Sequence, residues 1–70
     1  MSIIAVGKIK PYNTTDTRTP VKFSFDPITG VTAAVDNNGI IIADYPCLNE
    51  TEALWYWRNT AFVSIDQICA

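Results

Sequence analysis

Alternating apolar and polar residues at the start of the chain predict a first β-strand. Residues 2–10 read "SIIAVGKIK", and successive side chains of a strand point to opposite faces of its sheet. One side would carry Ile4, Val6, Lys8 and Lys10, and the other Ile3, Ala5, Gly7 and Ile9. Gly7 indicates a β-bulge or a close approach of another backbone. The polar, proline-bounded residues 11–20 are predicted to form a long loop, of the length that functional or mobile loops have.

Two turn signals divide the next part of the chain into three strands. The predicted strands are "VKFSF" (21–25), "VTAAV" (31–35) and "IIIADY" (40–45). The segment "DPITG" (26–30) between the first two has Asp, Pro and Gly where β-turns favour them. The segment "DNNG" (36–39) is typical of a tight hairpin, because Asn and Gly tolerate the left-handed conformation that such turns need.

The apolar pattern also predicts how the first two of these strands pair. Val21, Phe23 and Phe25 share one face, and Val31, Ala33 and Val35 match them if residues 26–30 form a five-residue loop. A four-residue loop would instead pair Phe25 with Thr32 and move the large side chains to the other face. The pattern therefore favours five residues. The three isoleucines at 40–42 satisfy either register of the third strand.

Capping signals predict one helix at residues 50–58. Pro46 ends the preceding strand, Asn49 is a favoured N-cap, and Glu52 has the position of the reciprocal partner in a capping box. Glu50 and Glu52 also favour the positive end of the helix dipole. A last strand follows at residues 61–69. The order β-β-β-β-α-β predicts one α+β domain, an antiparallel sheet of about five strands with a central meander and one short helix packed on one face.

The aromatic triplet Trp55–Tyr56–Trp57 falls in this helix and cannot point in one direction. At about 100° per residue, Ala53, Leu54 and Trp57 form the stripe that faces the sheet. Tyr56 lies at the edge of that stripe, and Trp55 points away from it. The alternative is a partial strand or an irregular turn in which Trp55 folds against a loop.

Length and composition describe a small domain with few charges. The chain has 70 residues, of which 49% are hydrophobic and 17% charged. A chain of this length buries only about 60% of its unfolded surface, so its stability is expected to be marginal. Few charges leave little to keep apolar surfaces apart in solution. Self-association, in the simplest case as a homodimer, is therefore expected.

The charges are distributed unevenly along the chain. Residues 1–22 contain four basic residues and one acidic residue, whereas residues 23–70 contain one basic residue and six acidic ones. The second part therefore has a net charge of −5 within a total of −2. Such asymmetry suits an acidic face that binds a basic partner. The alternative is that Asp simply occupies polar strand positions.

The sequence offers few groups for catalysis or metal binding. It contains no histidine, so it has neither a Ser–His nor a Cys–His pair. Two isolated cysteines, Cys47 and Cys69, lack metal-ligand spacing, and no nucleotide-binding motif is present. Cys47 precedes the helix, where the dipole could lower its pKa, but a small buried thiol is the favoured interpretation. We expect no enzymatic activity, no cofactor and no metal site.

The sequence also indicates the cell compartment and argues against nucleic-acid binding. The apolar N-terminal stretch is too short for a signal peptide and no apolar run could span a membrane, so we expect a cytoplasmic protein with free thiols. The segment "VKFSF" combines Lys22 with the alternating aromatic residues Phe23 and Phe25, a combination that is typical of nucleic-acid stacking platforms. Lys22, however, faces away from both rings, and the sequence pI is about 4.6. Core packing explains the segment better, and a single-stranded nucleic-acid binder is the third choice.

Protein binding is the function that remains. Small single domains without catalytic groups occur among the inhibitors that viruses and mobile elements encode, which is an analogy of size and class. Trp and Tyr are enriched at binding hot spots. We therefore expect a non-enzymatic module that blocks a surface of a host or defence protein, in the host cytoplasm if viral. The alternative is a structural subunit of a virion or other assembly. The predicted partner-binding residues are Trp55, Tyr56, Arg58, Glu52 and Asp44.

Overall fold

The computed structural model describes residues 2–10 and 19–69, and its elements confirm the predicted α+β class. The strands are β1 (Ser2–Ile9), β2 (Thr19–Asp26), β3 (Val31–Asp36), β4 (Ile41–Pro46) and β5 (Val63–Ile68). The helix α1 (Glu50–Arg58) has the predicted bounds. Most of the predicted loop at 11–20 lies outside the described residues, but Thr19 and Pro20 already belong to β2.

The five strands form one antiparallel sheet in the order β4-β3-β2-β1-β5. β5 leaves the meander and pairs with β1, at the edge of the sheet opposite to β4. The connection between these two edges contains α1, so the helix crosses one face of the sheet. There the indole ring of Trp57 lies 4.9 Å from the ring of Phe23, centroid to centroid. The other face has no helix over it among the described residues.

The turn between β2 and β3 is built on Asp26 and Gly30, as the sequence predicts. The backbone N–H of Ile28 donates to Asp26 Oδ1 at 2.9 Å, and the N–H of Gly30 donates to the Asp26 carbonyl oxygen at 2.8 Å. Gly30 has φ 69°, which glycine adopts without steric cost. These bonds close a loop of four residues, because Asp26 pairs with Val31.

The predicted five-residue loop is therefore wrong, and the register of β3 differs from the expected one. Phe25 pairs with Thr32, and Phe23 pairs with Ala34. Thr32 and Ala34 are fully buried on the helix side. Because neighbours along a strand face opposite sides, the three residues expected in the core lie on the face away from the helix: Val31, Ala33 and Val35.

The volume of Trp57 explains why the small residues of β3 face the helix. The Trp57 indole Nε1–H donates to Thr32 Oγ1 at 2.8 Å, and the Thr32 hydroxyl donates to the Ser24 carbonyl oxygen at 2.5 Å. Trp57 and Thr32 are both buried, so these bonds satisfy polar groups that water cannot reach. A row of valines in this position would crowd the indole and offer it no acceptor.

Two irregularities in β1 change which of its side chains reach the core. The register with β2 shifts between Ile3 and Ala5, so Ile4 joins Ala5 on the helix side and is 2% exposed, whereas Ile3 is 44% exposed. A second shift, between Val6 and Gly7, occurs in the pairing with β5. A Cβ at Gly7 would overlap the backbone carbonyl oxygen of Ser64. The predicted bulge or close approach at Gly7 is confirmed.

The hairpin between β3 and β4 is present, and it settles the register that the isoleucines left open. Asp36 Oδ1 accepts the backbone N–H groups of Asn38 and Ile40. In β4, Tyr45 pairs with Thr32 and therefore faces the helix, whereas Asp44 pairs with Ala33 on the other face. The buried core lies between the helix and the sheet: Ile4, Ala5, Ile9, Val21, Phe23, Phe25, Ala34, Cys47, Ala53 and Trp57.

Candidate functional site

The candidate site lies on the outer side of α1, whose start is fixed by the predicted cap. The Asn49 side chain accepts the backbone N–H of Glu52 at 2.9 Å. The Glu52 carboxylate accepts the N–H of Leu48 at 3.2 Å, one residue before the position that a capping box would use. The first bond satisfies a backbone donor that the first helical turn leaves free, and the second satisfies the donor of Leu48 just before the helix. They also hold the Glu52 side chain beside the N-terminus of the helix.

Hydrogen bonds to the last carbonyl groups also fix the end of the helix. The backbone carbonyl of Trp55 accepts both the backbone N–H of Asn59, at 3.1 Å, and its side-chain amide, at 2.8 Å. The Thr60 hydroxyl donates to the Tyr56 carbonyl oxygen at 2.7 Å. Carbonyl groups at the end of a helix have no helical partner, so these bonds define where α1 ends. The orientation of its side chains is therefore determined at both ends.

The helix separates the two tryptophans as its periodicity predicts. Trp57 is 1% exposed and Ala53 is fully buried, whereas Trp55 is 66% exposed. Leu54 is partly buried against the core. The alternative of an irregular segment with Trp55 folded away is excluded by this geometry. Trp57 anchors the helix, and Trp55, two positions earlier, presents its ring to solvent.

Tyr56 lies at the edge of the buried stripe and stacks on Tyr45 of β4. The two rings are 3.9 Å apart, centroid to centroid, with 8° between their planes. The edge of Tyr56 also contacts Trp57 at 4.9 Å. The edge-on contact is an arrangement that aromatic pairs favour. Tyr45 was missed by sequence reasoning, because its orientation depends on the β4 register that the isoleucines could not decide.

Two grooves flank the ring of Trp55. The first, which we call the tyrosine groove, has a volume of about 660 Å³ and is lined by Tyr45, Asn49, Thr51, Glu52, Trp55 and Tyr56. The second, the arginine groove, has a volume of about 500 Å³ and is lined by Thr51, Leu54, Trp55, Arg58 and Asn59. Trp55 forms the ridge between them. A partner that covers this ridge could therefore fill a groove on each side.

The structure brings together most of the predicted partner-binding residues, with one exception. Glu52, Trp55 and Tyr56 line the tyrosine groove, and Arg58 lies across the ridge in the arginine groove. Asp44 is exposed but lies on the helix-free face of the sheet, because its neighbour Tyr45 faces the helix. Asp44 therefore does not belong to this surface.

The environment of Cys47 agrees with a structural thiol. Cys47 is 8% exposed within the core. Burial raises its pKa above the ordinary value, and the negative charge of Glu52 raises it further, although a hydrogen bond with the backbone of Thr32 acts in the opposite direction. A raised pKa reduces the thiolate population that nucleophilic chemistry requires. Cys69 is exposed, and both thiols are free.

Other chemistry has little support among the described residues. Within residues 2–10 and 19–69, no group of three His, Cys, Asp or Glu side chains could hold a metal ion. Phe23 and Phe25 are 0% and 4% exposed, so neither ring offers a stacking platform for a base. No helix in the described part of the chain is long and apolar enough to cross a membrane.

Comparison with known proteins adds no family to this picture. No protein-family model matches the chain, and neither a curated protein nor a solved structure is significantly similar to it. The candidate site is therefore assigned from its geometry alone, with the exposed Trp55 ridge as its centre.

Proposed function

We propose that this chain is a non-enzymatic protein-binding module that acts by covering a surface of another protein through the Trp55 ridge. The observation that carries the proposal is the contrast between two tryptophans only two positions apart, Trp57 at 1% and Trp55 at 66% exposed. An exposed Trp flanked by two grooves supports binding, because interface hot spots are enriched in large, rigid aromatic anchors. Water would leave both grooves and the ring when a partner docks.

The biological setting belongs to the same proposal. An inhibitor encoded by a virus or a mobile element, which blocks a host or defence protein in the host cytoplasm, fits a small domain of this kind. That part rests on an analogy of size and class. An acidic chain with a sequence pI of about 4.6 also favours a partner with a basic surface.

A three-way affinity capture from host lysate tests the proposal. The baits are the wild type, Trp55→Ala and Ile28→Ala. Ile28 is a matched control, because it is a large apolar residue that is 93% exposed in the β2–β3 turn and lines neither groove beside Trp55. We expect one protein to be retained by the wild type and Ile28→Ala and lost from Trp55→Ala.

Measurements with the purified partner then give the size of the effect. Trp55→Ala should weaken binding by about 2 kcal/mol, or some thirtyfold in Kd, while stability changes by less than about 1 kcal/mol. A partner that binds Trp55→Ala as tightly as the wild type would refute the assignment of the ridge. Unfolding of Trp55→Ala in its own right would show that the ring belongs to the core.

A structural subunit is the second candidate, and the helix-free face of the sheet favours it. Ile3 and Ile41 are 44% and 55% exposed on or beside this face. Val6 and Val35 lie on the same face, with Lys22 between them in the paired strands. Apolar side chains gathered on one face of a sheet suit contacts between copies. Size-exclusion chromatography with light scattering separates the candidates: large closed assemblies favour the subunit, and a monomer or dimer favours the inhibitor.

A further inference from the structure

The tyrosine groove combines aromatic rings with a single carboxylate. Tyr45, Trp55 and Tyr56 contribute rings, and Glu52 contributes the only charged side chain among the described residues that line it. The outer ring of the stacked pair, Tyr45, is 42% exposed, so an incoming group can reach it. Asn49 and Thr51 complete the lining with neutral polar groups.

The aromatic rings and the Glu52 carboxylate both favour a positively charged ligand. The face of an aromatic ring is electronegative and attracts cations within about 6 Å, and Glu52 attracts them by its charge. The bond from Leu48 N–H uses one oxygen of this carboxylate, but a carboxylate has about four lone-pair sites. A purely apolar ligand would remove water from Glu52 without replacing its hydrogen bonds, which is costly.

The charges around the groove select a cation supplied by the partner. Arg58 lies on the other side of the Trp55 ridge, in the arginine groove. Glu50 and Glu52 both lie in the first turn of α1, and these two negative charges attract a positive group toward the groove. A guanidinium suits the groove better than an ammonium, because it is planar, stacks on rings and forms a forked pair with a carboxylate.

We infer that the tyrosine groove receives an arginine side chain of the partner protein, stacked on the aromatic rings with its guanidinium paired to Glu52. This inference rests on the proposed function and names the chemistry of its binding surface. The Trp55 ridge then acts as the wall along which the aliphatic part of the arginine packs.

Indole NMR signals provide a direct test with a defined probe. The probe is an acetylated and amidated pentapeptide with one central arginine between glycines, and its controls have citrulline or lysine there. Binding is followed at the two indole N–H signals. Trp55 should report binding, and the buried Trp57, which donates to Thr32, should serve as an unshifted reference. One side chain should bind with Kd on the order of 1 mM.

The expected order of affinities follows from the chemistry. Citrulline keeps the planar shape but lacks the charge, so its peptide should bind about tenfold more weakly. Glu52→Gln should weaken binding of the arginine peptide about fivefold, and Trp55→Ala should abolish it. Gln at position 52 retains an acceptor for Leu48 N–H, so the cap is preserved. Glu50→Gln is the matched control, since it removes the same charge from the first helical turn outside this groove, and we expect less than about a twofold change.

Three results would overturn the inference. These are equal binding of the arginine and citrulline peptides, tighter binding of the lysine peptide, or equal effects of Glu52→Gln and Glu50→Gln. One further result would refute the inference and leave the proposed function intact. If the full partner loses affinity for Trp55→Ala but not for Glu52→Gln, the ridge is an interface and its groove holds something other than an arginine.

Discussion

The buried hydrogen bond between Trp57 and Thr32 leads to a prediction that also tests the register of the sheet. Thr32→Val keeps the shape of the side chain and removes its hydroxyl. The Trp57 indole N–H would then lose its acceptor at 2.8 Å, and the Ser24 carbonyl would lose a donor. A buried donor left without a partner costs about 1–3 kcal/mol. We expect Thr32→Val to lower the free energy of unfolding by about that amount.

The reciprocal change, Val31→Thr, is the control on the same strand. In the structure Val31 is only partly buried and lies on the helix-free face, so the added hydroxyl remains accessible to water and should cost less than about 1 kcal/mol. In the register that the apolar pattern predicts, the two residues would exchange faces. Thr32→Val would then be nearly neutral, and Val31→Thr would bury a hydroxyl.

Urea denaturation followed by circular dichroism measures both variants. The indole N–H signal of Trp57 gives a second readout, because in Thr32→Val it should shift and exchange faster with solvent. A double-mutant cycle with Trp57→Phe should show that the two changes are not additive, since the phenyl ring has no donor to lose its partner. A neutral Thr32→Val with an unchanged indole signal would refute both the bond and the register.

Three further substitutions test other parts of the structure. Trp57→Ala should lower the free energy of unfolding by about 3–5 kcal/mol, out of a total of roughly 4–10 kcal/mol for a domain of this length. A melting temperature close to that of the wild type would contradict the role of Trp57 as the anchor of the helix. Gly7→Ala should cost about 1–3 kcal/mol in urea denaturation because its Cβ overlaps the backbone of β5, and it should exceed the cost of Gly39→Ala, where a Cβ meets nothing and only the positive φ is strained. For Asp26, the hydrogen bond from Ile28 N–H holds the carboxyl pKa below its ordinary value, against a smaller effect of burial. The ionised Asp26 carboxylate therefore stabilises the fold above the unfolded pKa of about 3.9, and this stabilisation is lost as the pH falls through the lower folded pKa. In a plot of the urea midpoint against pH, Asp26→Asn should therefore show a smaller decrease at acid pH than the wild type.

Local signals in the sequence predict the elements well because each one acts within a few residues. Asn49 bonds to a backbone group three residues away, and Gly30 to one four residues away. The helix bounds and the positions of both turns could therefore be predicted, although the length of the first turn could not. The exposure of Trp55 and the burial of Trp57 followed from helical periodicity alone.

Pairing between strands could not be predicted, because it depends on residues that are distant in the sequence. The apolar pattern of β3 matched the valines to the phenylalanines. The preferred match changes once Trp57, 25 residues after Thr32, needs room and an acceptor. Likewise, alternation could not tell which of two adjacent isoleucines enters the core at the β1 bulge.

The same limit explains the two differences between the predicted and the observed site. Asp44 was included for its charge, and Tyr45 was overlooked. Adjacent strand residues face opposite ways, so one unknown register determined both. The pairing of Tyr45 with Thr32 removes Asp44 from the surface and adds a second ring beside Tyr56.

Contacts between rings connect the candidate site to the core and determine which substitution can separate binding from folding. Tyr56 is held between Tyr45 at 3.9 Å and Trp57 at 4.9 Å, and Trp57 packs in turn on Phe23 at 4.9 Å. The wall of the tyrosine groove is therefore ordered by the same packing that stabilises the fold. A preordered wall binds with a smaller loss of conformational entropy. It also means that replacing Tyr56 would lower stability and binding together, whereas Trp55, which stands outside this row, can be removed with its effect confined to recognition.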